Sequence, residues 1–197
     1  MSFNREEAIK TLKLFNEKAD KLLNSLFVDF IRKTKHFTVK LSANRGEAVR
    51  LEKLLPDKHA IDEFVLTFRF FIQDNETCSF RNMTKLYEEM PISQDLKDKF
   101  TEIAKNLNDF LDSEPQTKFE ISGEKLKNRK IMEVFIYGSI AHANLRKKQI
   151  FDNWVKMGIA FPFLEFQFNS ILELILRVIR YAKELNAKAI DELAKTG

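Results

Sequence analysis

Apolar side chains recur every three or four residues through most of this 197-residue chain, and only five glycines and four prolines interrupt them. That spacing places side chains on one face of an α-helix, whereas a strand needs strict alternation. A many-stranded fold uses glycine and proline at its reversals, so their scarcity argues against one. The chain must therefore bury long helical faces against one another.

The N-terminal segment shows the rule most clearly. Ala8, Leu12, Phe15, Ala19, Leu22 and Leu26 are spaced by four and three, and Leu23, Phe27, Phe30 and Ile31 widen the stripe. Asn4, with Glu7 three residues on, is a capping-box arrangement in which Asn replaces the usual hydroxyl. A helix opening there is predicted to run to about residue 33. Residues 46–55 suggest a short helix ended by Pro56. Asp57 is placed to cap a helix carrying Ile61, Val65, Phe68 and Ile72. A polar break at 73–79 precedes a helix from about Phe80 to Met90, which Pro91 stops. Ser93 then caps a helix with Leu96, Phe100, Ile103, Leu107 and Leu111.

Two short segments break the helical period. Phe37, Val39 and Leu41 alternate with polar residues in 36–43, and Phe119 and Ile121 do so in 118–122. Paired, they would make a small ribbon laid on helices. Ser122 or Gly123 is predicted to open a helix reaching about Trp154, with Gly158 and Pro162 marking its end. The last long helix holds Ile171, Leu172, Leu174, Ile175, Leu176, Val178 and Ile179, and a weaker stripe of Ala182, Leu185, Ala189 and Leu193 follows. Glu173, Arg177 and Arg180 confine its charge to a narrow strip, which predicts burial on most sides, centrally or in an oligomer interface. The expected architecture is mainly α: a helical bundle of about six or seven helices with a minor two-stranded β ribbon, in a single domain over residues 1–197.

One cysteine, Cys78, excludes an intramolecular disulfide and a cysteine-based zinc cluster. The charged N-terminus lacks the apolar core of a signal peptide. The longest apolar region, about 159–181, contains Glu165, Glu173, Arg177 and Arg180 and should not span a bilayer. The expectation is a cytoplasmic protein without membrane association. A net charge of +4 permits a nucleic-acid partner without requiring one.

No Gly-rich phosphate loop, Gly-x-Ser-x-Gly elbow or His-Glu-x-x-His pair occurs. His36, His59 and His142 are far apart, so neither a metal nor a cofactor is expected. His142 is the best single candidate for chemistry. Ile131, Phe135, Gly138, His142 and Leu145 share one helical face, and Gly138 leaves a notch one turn before the imidazole. Arg146 lies one turn beyond, where its charge disfavours the imidazolium, and Tyr137 and Asn144 add donors. A neutral histidine beside an arginine suits acid/base work on a phosphodiester. The alternative is that Gly138, Ala141 and His142 mark a close helix approach. Lys125, Lys127, Arg129 and Lys130 precede this face, and Arg146, Lys147 and Lys148 follow it. Together they form either an anion-tracking surface or two solvated helix ends.

The segment YGSIAHANLRKK resembles, over about a dozen residues, the Arg-x(4–6)-His region of HEPN-domain proteins. These are helical bundles, often ribonucleases. The resemblance implies His142 as acid/base and Arg146 as phosphate holder, with Tyr137, Gly138, Asn144 and Lys147 around the substrate. The chain departs from the pattern: Tyr137, Ile136 and Phe135 stand five to seven residues before His142, where the family carries arginine. Arg81-Asn82 resembles the start of such a motif, with no histidine after it.

Phenylalanine is the compositional anomaly, at 19 residues against three tyrosines and one tryptophan. FVLTFRFF (64–71) and FPFLEFQF (161–168) each hold four. These rings have no polar handle, so they fill a core, line an apolar pocket or meet another subunit. Asp74, Asn75 and Glu76, near Arg69 and Arg81, form a polar knot that is either an ion network or a solvated turn. The sequence leaves open whether the chain is an enzyme. The favoured expectation is a helical interaction or regulatory protein forming a homo-oligomer, with a HEPN-like ribonuclease as the alternative.

Overall fold

Helix α1, Arg5–Leu23, forms where the stripe begins, with the Asn4 side chain accepting from the Glu7 amide at 3.2 Å. Residues 30–33 lie outside the described residues; α1 stops at Leu23, although the apolar period continues through Leu26 and Phe27, and residues 26–29 are helical again. The cause is Ser25: its hydroxyl accepts from the Val28 amide at 3.2 Å and its carbonyl from the Asp29 amide. A new helical turn begins there, so local side-chain capping overrides periodicity.

A computed structural model describes residues 3–29, 58–73, 76–114, 120–121, 124–125, 127–129, 132 and 168–195. Over these the chain is mainly helical. Helix α2 is Lys58–Ile72, α3 Phe80–Glu89, α4 Gln94–Asp112 and α5 Phe168–Lys195. Helix α3 opens on Ser79, whose hydroxyl accepts from the Asn82 amide at 3.2 Å. It closes at Met90, which Pro91 forces out of the helical region to φ −69°, ψ 139°.

Strand β1, Glu120–Ile121, pairs antiparallel with β2, Glu124–Lys125, with Glu120 opposite Lys125 and Ile121 opposite Glu124. The two strands are only two residues apart in sequence. Their pairing corrects the expectation that a helix opens at Ser122 or Gly123, because residues 124–125 are extended. Residues 36–43, the expected partner of 118–122, lie outside the described residues, as does the short helix expected at 46–55.

The chain divides into two compact units. The first combines residues 1–23, 67–110 and 175–197. Its core is a run of aromatic rings. Phe15 meets Phe71 edge-on at 4.9 Å and Phe80 at 6.0 Å, Phe80 lies nearly parallel to Phe100 at 5.9 Å, and Phe100 stacks on Tyr87 at 4.1 Å. All five are buried, so this part of the phenylalanine excess is core. Lys183 of α5 pairs with Asp20 of α1 at the surface of this unit.

The second unit combines residues 24–66 and 111–174. Phe27 packs on Phe64 with centroids 4.6 Å apart, both fully buried. Asn128 joins Ser113 twice, donating from its backbone amide to the Ser113 carbonyl at 3.0 Å and from its side chain to the Ser113 hydroxyl at 3.2 Å. Arg129 reaches Asp112 at 2.9 Å.

Helix α5 is not buried on most sides. Ile171, Leu172, Ile175, Leu176, Ile179, Ala182, Leu185, Ala189 and Leu193 are inside, whereas Leu174, Arg177, Arg180, Tyr181, Glu184 and Lys188 are exposed. Its 28 residues thus have one buried face, and the charged strip extends around the opposite side.

Candidate functional site

The site expected from sequence, Tyr137, Gly138, His142, Asn144, Arg146 and Lys147, lies outside the described residues, as does FPFLEFQF up to residue 167. His59 is exposed on α2. Among the described residues no three His, Cys, Asp or Glu side chains converge on a point where a metal ion could sit.

Of the first Phe-rich stretch, Phe64, Phe68 and Phe71 are buried, and so is Val65. Phe70 stays half-buried beneath the Lys18 ammonium, 5.2 Å from its ring centre. Leu66 points outward at 56 % exposure. In the polar knot, Arg69 donates from Nε to the Gln73 side chain at 2.9 Å. Asp74 and Asn75 lie outside the described residues.

A polar chain inside the first unit joins three helices. Tyr87 of α3 donates its hydroxyl to Asn186 Oδ1 of α5 at 2.8 Å. Asn186 in turn donates from Nδ2 to Asn16 Oδ1 of α1 at 3.2 Å. Tyr87 and Asn186 are completely buried and Asn16 is half-buried, so the chain runs from the aromatic core to the edge of the unit. Burial pushes the Tyr87 phenol well above the usual tyrosine range and keeps it a donor. The sequence signal was present: Asn186 interrupts an apolar stripe, as His142 does.

Cys78, fully buried just before α3, has its thiol pushed up to about 11, by burial first and against the opposing charge of Lys18. Such a thiol is a small core residue and a poor nucleophile at neutral pH.

At the first unit's surface, a cleft of about 730 Å³ is lined by Asn4, Glu7, Thr11, Thr77, Asn82 and Glu89 over an apolar floor that includes Ala8 and Leu86. Much of its polarity is already engaged. Asn4 caps α1, the Thr11 hydroxyl donates to the Glu7 carbonyl at 3.0 Å, and the Asn82 side chain donates from Nδ2 to the Glu76 carbonyl at 2.9 Å. No histidine or cysteine is among its described lining residues. The cleft offers hydrogen bonds and two carboxylates, without a nucleophile paired to a base.

Among the described residues no helix is long and apolar enough to cross a membrane. No family model, curated protein or solved structure was found to match the chain.

Proposed function

We propose that the protein is a helical interaction or regulatory protein that associates with further copies of itself, and that it works in a reducing, cytoplasmic setting. The observation that carries the reading is Leu66. It stands within FVLTFRFF, where Phe64, Val65 and Phe68 are buried, yet its own side chain is 56 % exposed. Leu26, at 64 % the most exposed large apolar side chain among the described residues, and Leu174, at 37 %, belong to the same second unit. Full burial of a leucine is worth about 1.5–3 kcal/mol, so covering them against a second subunit has a driving force.

A lone exposed leucine is ordinary on a soluble protein. The self-association reading therefore rests on three such leucines falling in one unit. Sedimentation velocity across the micromolar range tests it. Wild type is expected to sediment as a dimer or larger species, and Leu26→Lys/Leu66→Lys to shift towards monomer while keeping its helical signal. A wild-type chain that is monomeric throughout, or a double variant that assembles as before, overturns the reading.

A further inference from the structure

The apolar face of α5 has little register information of its own. Ile175, Ile179, Ala182, Leu185, Ala189 and Leu193 repeat at three- and four-residue intervals, and each is buried. Sliding such a helix by one turn, about 5.4 Å, would again set apolar side chains against apolar side chains. Small residues at 182 and 189 make the stripe still more permissive. Asn186 is the exception: it is a completely buried amide within the stripe, bonded to α3 through Tyr87 and to α1 through Asn16.

We infer that the Asn16–Asn186–Tyr87 chain is a register lock, which selects one alignment of α5 against α1 and α3 from several that the apolar residues would accept. A one-turn slip brings Ala182 or Ile190 to the level of Tyr87. Neither side chain can accept from the phenol. The slip therefore strands a buried hydroxyl and a buried amide together, and each stranded group carries a desolvation penalty. The native register satisfies both groups. A single buried polar residue among apolar helix contacts is a known means of fixing alignment, and it can lower stability relative to an all-apolar contact. The aromatic run adds leverage. Tyr87 is held flat on Phe100, 4.1 Å away and tilted by 17°, so its hydroxyl cannot swing to follow a displaced partner.

The experiment compares the full-length chain with Tyr87→Phe and with Tyr87→Phe/Asn186→Leu, using amide NMR spectra and urea unfolding. Tyr87→Phe keeps Asn186 but removes its donor. It is expected to give one set of resonances and a folded-to-unfolded ratio about tenfold lower. The double variant removes the amide and the phenol hydroxyl together. It is expected to stay helical and at least as resistant to urea as Tyr87→Phe, while the amides of 175–193 split or broaden from more than one packing. One sharp, wild-type-like set of resonances in the double variant overturns the inference. So does a double variant that fails to fold, because the polar chain would then be holding the unit together rather than choosing its register.

Discussion

Phe100 lies within the aromatic core of the first unit, and replacing it by alanine tests how much that core depends on the ring. The ring is fully buried, with Tyr87 stacked against one side at 4.1 Å and Phe80 beyond at 5.9 Å. Truncating a buried phenylalanine costs about 3–5 kcal/mol through lost transfer energy and the cavity left behind. The two neighbouring rings resist collapse into the vacancy, and the middle of that range, about 4 kcal/mol, is expected. With a urea dependence of about 2 kcal/mol per molar, the unfolding midpoint should fall by about 2 M. Phe100→Leu keeps most of the volume and loses the ring pairing, so it should cost only about 1–2 kcal/mol. Glu102→Ala, exposed on the same helix, should stay within about 0.5 kcal/mol of wild type and controls for helix propensity. Urea unfolding followed by far-ultraviolet circular dichroism measures all three. An alanine variant no worse than the leucine variant would refute the view that the core depends on this ring.

Three further outcomes follow from individual side chains. Burial raises the Cys78 thiol, so an aromatic disulfide reagent at pH 8 should label it only as slowly as the protein unfolds, and rapid stoichiometric labelling of native protein would refute its burial. The same raised value favours the folded state below the free thiol range of about 8.5, and that contribution is lost as pH rises towards 11. The Arg129 guanidinium holds the Asp112 carboxyl below its ordinary value, so this pair helps folding at neutral pH and the help disappears on acidification through the lowered value. Because Asp112 is exposed, the check is its carboxyl titration by NMR, which should move back up in Arg129→Gln; an unchanged titration would remove the pair from the account. Glu192 accepts both the amide and the hydroxyl of Ser93, at 2.7 and 2.9 Å, where α4 begins. Glu192→Ala should therefore cost about 1–2 kcal/mol in thermal unfolding by removing both bonds, and Ser93→Ala, which keeps the amide contact but takes the hydroxyl from the residue preceding α4, should cost about 1 kcal/mol.

What the sequence made legible, and what it did not, divides along a physical line. Helix existence was readable wherever one face alone had to be buried. The stripes of α1, α2, α4 and α5 appear at the expected residues, and Pro91 ends α3 through its clash with Met90, an interaction local enough to read from a dipeptide. The break in the first helix was harder, because it turns on a competition of nearly equal terms. The apolar period favours continuation to residue 33, and a single serine hydroxyl on the Val28 amide suffices to end it at Leu23. Ser93 shows the same ambiguity from the other side. Its position as a cap was readable, whereas its partner, Glu192, lies 99 residues away. Long-range polar pairing leaves no period in the chain, and the interior of the first unit contains such a pairing, Tyr87 to Asn186. Each residue alone looks unremarkable: a tyrosine in a short amphipathic helix, an asparagine in a long one. Only the fold makes them neighbours. His142 and Asn186 are the same kind of signal, a polar residue set in an apolar helical stripe. Asn186 is bonded to two neighbouring helices, α1 and α3. That outcome is the standard against which a chemical role for the histidine has to be measured, and it favours the close helix approach as the first explanation to test.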